Sequence, residues 1–206
     1  AFKVARDGRP GPVLVDITKD AQFGTLLDEF DVPAEHGDHY ARWTYAPRHT
    51  DLSGVEIAAE LINKAERPLL FVGQGVLLSG ASHVARQVAA KTGMPVASTL
   101  LGLSAFPACH PQFVGMLGMH GHYAPNIMTN EADVILAVGM RFDDRVTGRL
   151  DDYATQAKII HVEIDPAEVD KCVPAEVALI ADARDALEAL LPHLKKRQHD
   201  EWRARF

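Results

Sequence analysis

Five consecutive apolar residues, Val134–Val138 (VILAV), stop at Gly139 and are followed by the charged loop MRFDDRVTG. An antiparallel strand with one wet face alternates apolar and polar residues. A run with no polar position is covered on both faces and belongs to a parallel sheet. The strand therefore demands helices on both of its sides. In such sheets the loops at the carboxyl ends of the strands meet ligands. Here that loop sets Arg141, Asp143, Asp144 and Arg145 within five positions. Guanidinium groups pair bidentately with phosphate, and carboxylates beside them fix their orientation. A solvated ion-pair cluster has the same composition, but the end of a buried strand is where such a cluster has least reason to be.

The rest of the chain fits that demand. Apolar segments at 69–72, 96–99, 159–164 and 177–180 read as further strands, and 52–66, 81–92, 123–131 and 183–191 read as helices. Leu52, Val55, Ala58, Ala59, Ile62 and Ala65 recur at three-four spacing, which puts them on one helix face. The alternation predicts an α/β fold: a doubly wound parallel sheet of about five to six strands with helices on both faces, Rossmann-like in plan. Residues 12–17 (PVLVDI) have the composition of another buried strand. From 28 to 50 the chain carries Pro33, Gly37, Pro47, His36, His39 and His49 without a sustained period, as a long connection does. The closing KKRQHDEWRARF, after Pro192, reads as a solvated connection.

Composition narrows the function. The 206 residues are 47% hydrophobic and carry a net charge of −7 without a long basic block, so nucleic acid is not an expected partner. No apolar run approaches the roughly 20 residues of a membrane span. With two distant cysteines, Cys109 and Cys172, the expected setting is soluble, reducing and cytoplasmic. The chain begins without methionine, close to a strand-like segment, which is expected of a piece of a longer protein. Walker, GxSxG, HExxH and zinc-type spacings do not occur. His120 and His122 stand two apart with no third ligand indicated, so a metal site is not expected.

The loops after the remaining strands complete a candidate nucleotide site. Gly73-Gln74-Gly75 would let backbone approach a ligand at a helix start, though GxG pairs are also common turns. Ser98 and Thr99 set hydroxyls at a strand end, where they serve either a ligand or the chain itself. Leu117-Gly118-Met119-His120-Gly121 offers a thioether and an imidazole to a flat ring, or a turn with a core methionine. Glu163 stands where a carboxylate accepts from ribose hydroxyls, and Asp182 is either a second such acceptor or a helix N-cap.

The segments GRPGPVLVDITKD, LGMHGHYAPN, VGMRFDDRVTG and HVEIDPAEVDK, in this order, resemble the large catalytic subunits of the acetolactate synthase family of thiamine-diphosphate enzymes. The resemblance implies a middle domain that binds FAD in extended form. It implies contacts from Gly73, Gln74, Gly75, Thr99, Leu100, Leu117, Gly118, Met119 and His120. Further contacts are implied at Gly139, Met140, Arg141, Asp143, Arg145, Val146, Glu163, Ile164, Asp182 and Ala183. It divides the chain into the tail of a pyrimidine-binding domain (1–24), a linker (25–51), the FAD domain (52–192) and a linker toward a C-terminal domain (193–206). Thiamine diphosphate and Mg2+ would be held by the other domains, so the chain has no catalytic residues of its own. The implied partners are those N- and C-terminal domains, further copies in a homodimer or tetramer, and a regulatory small subunit. The implied reaction decarboxylates pyruvate and joins the product to a second 2-oxo acid. Another FAD-dependent carboligase, such as glyoxylate carboligase, and a noncatalytic nucleotide-binding module remain as alternatives.

Overall fold

The computed structural model describes residues 1–6, 8–25 and 50–205. The chain divides into two compact units, Ala1–Arg48 and His49–Phe206. The connection expected over 25–51, with its three histidines, lies almost wholly outside the described residues.

In the first unit two short helices, α1 (Phe2–Arg6) and α2 (Lys19–Phe23), flank an extended stretch. The strand expected at 12–17 is not formed: no pairing is made there, and Leu14 is 91% exposed. The composition is that of a buried strand, but among the described residues no neighbouring strand supplies the hydrogen bonds that would make it one.

The second unit is built around six parallel strands: β1 (Pro68–Val72), β2 (Val96–Ser98), β3 (Phe113–Met116), β4 (Val134–Val138), β5 (Lys158–Glu163) and β6 (Val177–Ile180). They lie in the order β3-β2-β1-β4-β5-β6. β1 and β4 are buried at every residue and run in register from Pro68 beside Val134 to Val72 beside Val138. Helices α3 (Val55–Lys64), α4 (Gln74–Leu78), α5 (Ser82–Thr92) and α8 (Ala183–Leu190) pack on one sheet face, against Leu70, Val72, Leu136, Val138, Ile160, Val162 and Leu179. The other face, carrying Leu69, Phe71, Ile135, Ala137 and Ile159, is covered by α6 (Tyr123–Glu131) and by Met140, Phe142 and Trp202.

Each helix follows from its spacing. In α3, Val55, Ala58, Ala59 and Ile62 are buried while Glu60 pairs with Lys64 on the wet side. In α8, Asp182 caps the start and Ala183, Ala186, Leu187 and Leu190 face the sheet. Further features depart from expectation. β3 is a strand that periodicity did not indicate. The charged tail also returns to the domain through α9 (Asp200–Ala204), burying Leu194, His199 and Trp202. The Trp202 indole N–H donates to the Pro68 carbonyl at 3.0 Å, so the tail is only partly the solvated connection its composition suggests.

Candidate functional site

All six strands are parallel, so their carboxyl ends share one edge of the sheet. Chain order reverses between β1 and β4, which places the switch point at the loops that begin at Gly73 and Gly139. These two loops interlock. The Gly73 N–H donates to the Val138 carbonyl and the Gly75 N–H to the Gly139 carbonyl, both at 2.9 Å. A Cβ on Gly75 would come 2.6 Å from the Gly139 Cα, and Gly139 itself has φ +59°. The glycines of GQG are therefore packed tightly against the neighbouring loop, and the amides of Gly73 and Gly75 are already committed to it. The motif stands at the switch point, as its place after β1 suggests.

The β2 loop joins the same edge. The Thr99 N–H donates to the Val72 carbonyl, and the Thr99 hydroxyl accepts from the Gly102 N–H at 3.1 Å, so this hydroxyl serves as a cap. Leu100 stays 64% exposed beside it. The Ser98 hydroxyl is buried without a protein partner. Just past β3, the Leu117 N–H donates to the Ser98 carbonyl. Gly118, at φ +96°, packs its bare Cα against the Arg145 carbonyl, and the Met119 N–H donates to that carbonyl at 2.8 Å. The LGMHG turn and the arginine loop, 28 residues apart at Leu117 and Arg145 in sequence, are thus one surface, with Met119 and His120 exposed on it.

In the arginine loop, Met140 and Phe142 are buried and Arg141 between them is exposed, as alternation on an extended segment requires. The Arg141 Nε lies 3.6 Å from Asp143 Oδ2, and the Arg145 Nε lies 4.0 Å from Asp144 Oδ2. Asp143 also caps α7 (Asp144–Thr147) through the Arg145 N–H. The loop therefore presents its two cations with carboxylates beside them, as its sequence suggests.

At the β5 end Glu163 is buried, and its Oε1 accepts from the Ile164 and Asp165 amides at 3.0 and 3.3 Å. The Ala181 N–H donates to the Glu163 carbonyl, tying the β5 and β6 ends together. Asp182 is an N-cap, accepting from the Arg184 N–H at 2.9 Å, and Ala183 is buried behind it. Burial pushes the Asp182 carboxyl above its ordinary value, against the opposing pull of the Arg184 amide. Glu163 and Asp182 make these bonds within their own loops, two and three strands away from β1.

Two residues outside the expected set build the site. Asn126 brackets Gly118, accepting from its N–H at 2.9 Å and donating to its carbonyl at 3.0 Å, which fixes the LGMHG turn. Its signal in sequence is an amide in the first turn of a helix that follows a glycine turn. His161 is buried in β5 with Nε2 2.9 Å from the Met140 carbonyl oxygen. It is hidden in sequence by its place among the apolar residues Ile159, Ile160 and Val162.

A six-stranded parallel sheet wound on both faces, with glycine-tight loops at its switch point and charged loops around it, defines a Rossmann-like α/β domain. This class holds nucleotides at that edge. The chain belongs to the thiamine pyrophosphate enzyme central-domain family, whose model matches residues 55–190. It is 40% identical over 206 residues to a probable acetolactate synthase large subunit of Methanocaldococcus jannaschii, covering 94% of this chain and 32% of that protein. It is 44% identical over 198 residues to the acetolactate synthase isozyme 2 large subunit of Escherichia coli, covering 95% and 33%. Against the chloroplastic acetolactate synthase 2 of Nicotiana tabacum identity is 40% over 198 residues, covering 96% and 29%. The chain thus spans about a third of the length of these curated relatives.

Proposed function

We propose that this chain is the FAD-binding middle domain of an acetolactate synthase large subunit. The observation that carries the reading is the spread of ligand-type loops along one edge. They run from the LGMHG turn after β3, past the arginine loop after β4, to Glu163 and Asp182 after β5 and β6. Five spacings of roughly 4.8 Å make that edge about 24 Å wide. A single ligand touching all of it is long and lies extended, as a dinucleotide does and a mononucleotide does not.

The chemistry of the donors fits such a ligand. Arg141 and Arg145, exposed and near the middle of the edge, would meet the diphosphate. Met119 and Leu100, exposed apolar groups on the β3 and β2 side, suit the flat ring. Glu163 has committed Oε1 to backbone amides, and its other oxygen is the acceptor a ribose hydroxyl would find. Ser98 offers a buried hydroxyl without a protein partner at the β2 end. The flavin's own chemistry is redox, and the proposed overall reaction, decarboxylation of pyruvate followed by carboligation to a second 2-oxo acid, is redox-neutral. The domain's residues would therefore bind and orient the flavin for a structural purpose. Thiamine diphosphate and Mg2+ would be held by the flanking domains of the whole subunit. Residues 1–24 would be the end of the preceding domain, and 193–206 would lead to the following one.

The test is a fluorescence titration of FAD with the purified chain, with ADP and NAD as competitors. The expected result is saturable quenching that ADP and NAD displace only weakly. Selective binding of ADP or NAD without FAD, or no saturation at all, overturns the reading. Assay of the whole subunit with pyruvate against glyoxylate then separates a synthase from a glyoxylate-using carboligase.

A further inference from the structure

We propose that His161 is a positioning residue that clamps the arginine loop and so sets Arg141 at the sheet edge. It sits in the middle of β5, on the face that carries Ile159, with Ala137 and Ala178 as its cross-strand neighbours. Two alanines leave room on that face for an imidazole, which is completely buried. A leucine or isoleucine there would fill the space with no polar group to satisfy. Burying a ring nitrogen has a cost, and a compensating hydrogen bond is needed to offset it.

That bond is made to the loop. The Gly139 N–H donates to the Val162 carbonyl, the last ladder bond between β4 and β5, so the Met140 carbonyl lies just beyond the sheet. It is met by His161 Nε2 at 2.9 Å. A carbonyl oxygen only accepts, so Nε2 carries the proton, and Nδ1 is the nitrogen left buried without a partner. Two residues further on, the Phe142 ring meets the imidazole edge-on, with centroids 5.1 Å apart and planes at 69°. His161 thus grips the loop on both sides of Arg141: by a hydrogen bond to the backbone of residue 140 and by ring contact with residue 142. The Arg141 side chain is left facing outward, with Asp143 as an ion-pair neighbour. Without the clamp, the Met140 carbonyl would have to find another donor and the segment 140–143 would sample other conformations. A guanidinium held in advance loses less entropy when it meets an anion.

The functional consequence rests on the flavin reading; the clamp itself does not. Two variants separate them. His161→Phe keeps a buried ring but has no N–H, and His161→Gln puts an amide N–H back near the place of Nε2. Hydrogen exchange read by mass spectrometry is expected to speed up in His161→Phe over 141–147 but not in β1 or β4, and to return toward normal in His161→Gln. A general loss of stability would instead speed exchange throughout the sheet. In parallel, the Kd for FAD is expected to rise about tenfold in His161→Phe, and to rise by less than about threefold when Arg141→Ala is already present, because the two changes act on one loop. The proposal is overturned if exchange over 141–147 is unchanged in His161→Phe, or if the affinity penalty is the same with and without Arg141. Should His161→Phe loosen 141–147 in a chain that binds no FAD, the clamp stands and the flavin reading falls.

Discussion

Arg141 is the residue on which most of the proposed binding rests, because its neighbours are committed elsewhere. Met140 and Phe142 are buried, Asp143 caps α7, and the amides of Gly73 and Gly75 are consumed by the Gly139 loop. Arg141→Ala is expected to weaken FAD binding by about 1.5–3 kcal/mol, the range for a lost charge-assisted hydrogen bond. Flavin titration checks it, and unchanged affinity removes Arg141 from the site. Gly139 is constrained from the opposite side. Its φ is +59°, and a Cβ would come 2.6 Å from the Gly75 Cα. Gly139→Ala meets both backbone strain and a backbone wall that cannot rotate away, so urea denaturation should register a loss of at least roughly 1–3 kcal/mol. A loss below half a kilocalorie, on the order of that of an ordinary surface change, would mean that the two loops separate easily.

At the scale of elements, the tail through α9 behaves as part of the domain. Trp202 is 5% exposed and bonds to Pro68 at the start of β1, so Trp202→Ala should destabilise the second unit by about 3–5 kcal/mol in chemical denaturation. A negligible change would show that the tail peels away without cost to the sheet. His199, just before the helix, is held below its ordinary value of 6.5 chiefly by burial and next by the Arg197 cation, against the pull of the Glu66 backbone. The folded state therefore resists protonation that the unfolded chain accepts. The associated stability is present above pH 6.5 and drains away as pH falls from there through the lower folded value. Replacing His199 with glutamine should flatten that part of the stability profile; an unaltered acid slope would assign it to other groups. The tail's docking was illegible because one tryptophan among seven charged residues in the last twelve has no period to betray a buried face. β3 was illegible for a related reason. It is an edge strand, only partly buried, with Gly115 at φ +115° and a register shift against β2, so neither an apolar run nor an alternation survives. β4 and β6, by contrast, are bounded in the structure as in the sequence, because burial leaves apolar residues no other use. The site was legible as a set of loops, each announced by the strand before it. What pairs with what was not: the GQG glycines accommodate Gly139, and the LGMHG turn leans on Arg145, contacts that no local pattern encodes.

At the scale of the whole molecule, the edge belongs to the second unit, whose sheet carries both described hydrophobic clusters. Among the described residues, the buried residues of both hydrophobic clusters fall between Val55 and Trp202, and the sheet's outer margin is closed by Asp51, whose N–H and carbonyl exchange bonds with Ile180 at 2.7 and 3.0 Å. Among the described residues of unit 1, the apolar side chains of Leu14, Val15 and Ile17 are exposed. A chain shortened to begin at Thr50 keeps the Asp51–Ile180 bridge, α3 and all six strands. It is therefore expected to unfold in one cooperative transition, within about 3 °C of the intact chain, since a shift of 1 kcal/mol moves the midpoint of a domain of this size by roughly 2–4 °C. It should also retain the flavin affinity of the parent, because the proposed contacts run from Gly73 to Ala183. Differential scanning calorimetry and the same titration decide the matter together. A broadened or strongly lowered transition would mean that residues before Thr50 complete the core. An intact transition with lost affinity would instead mean that the ligand reaches beyond the sheet edge to the first unit.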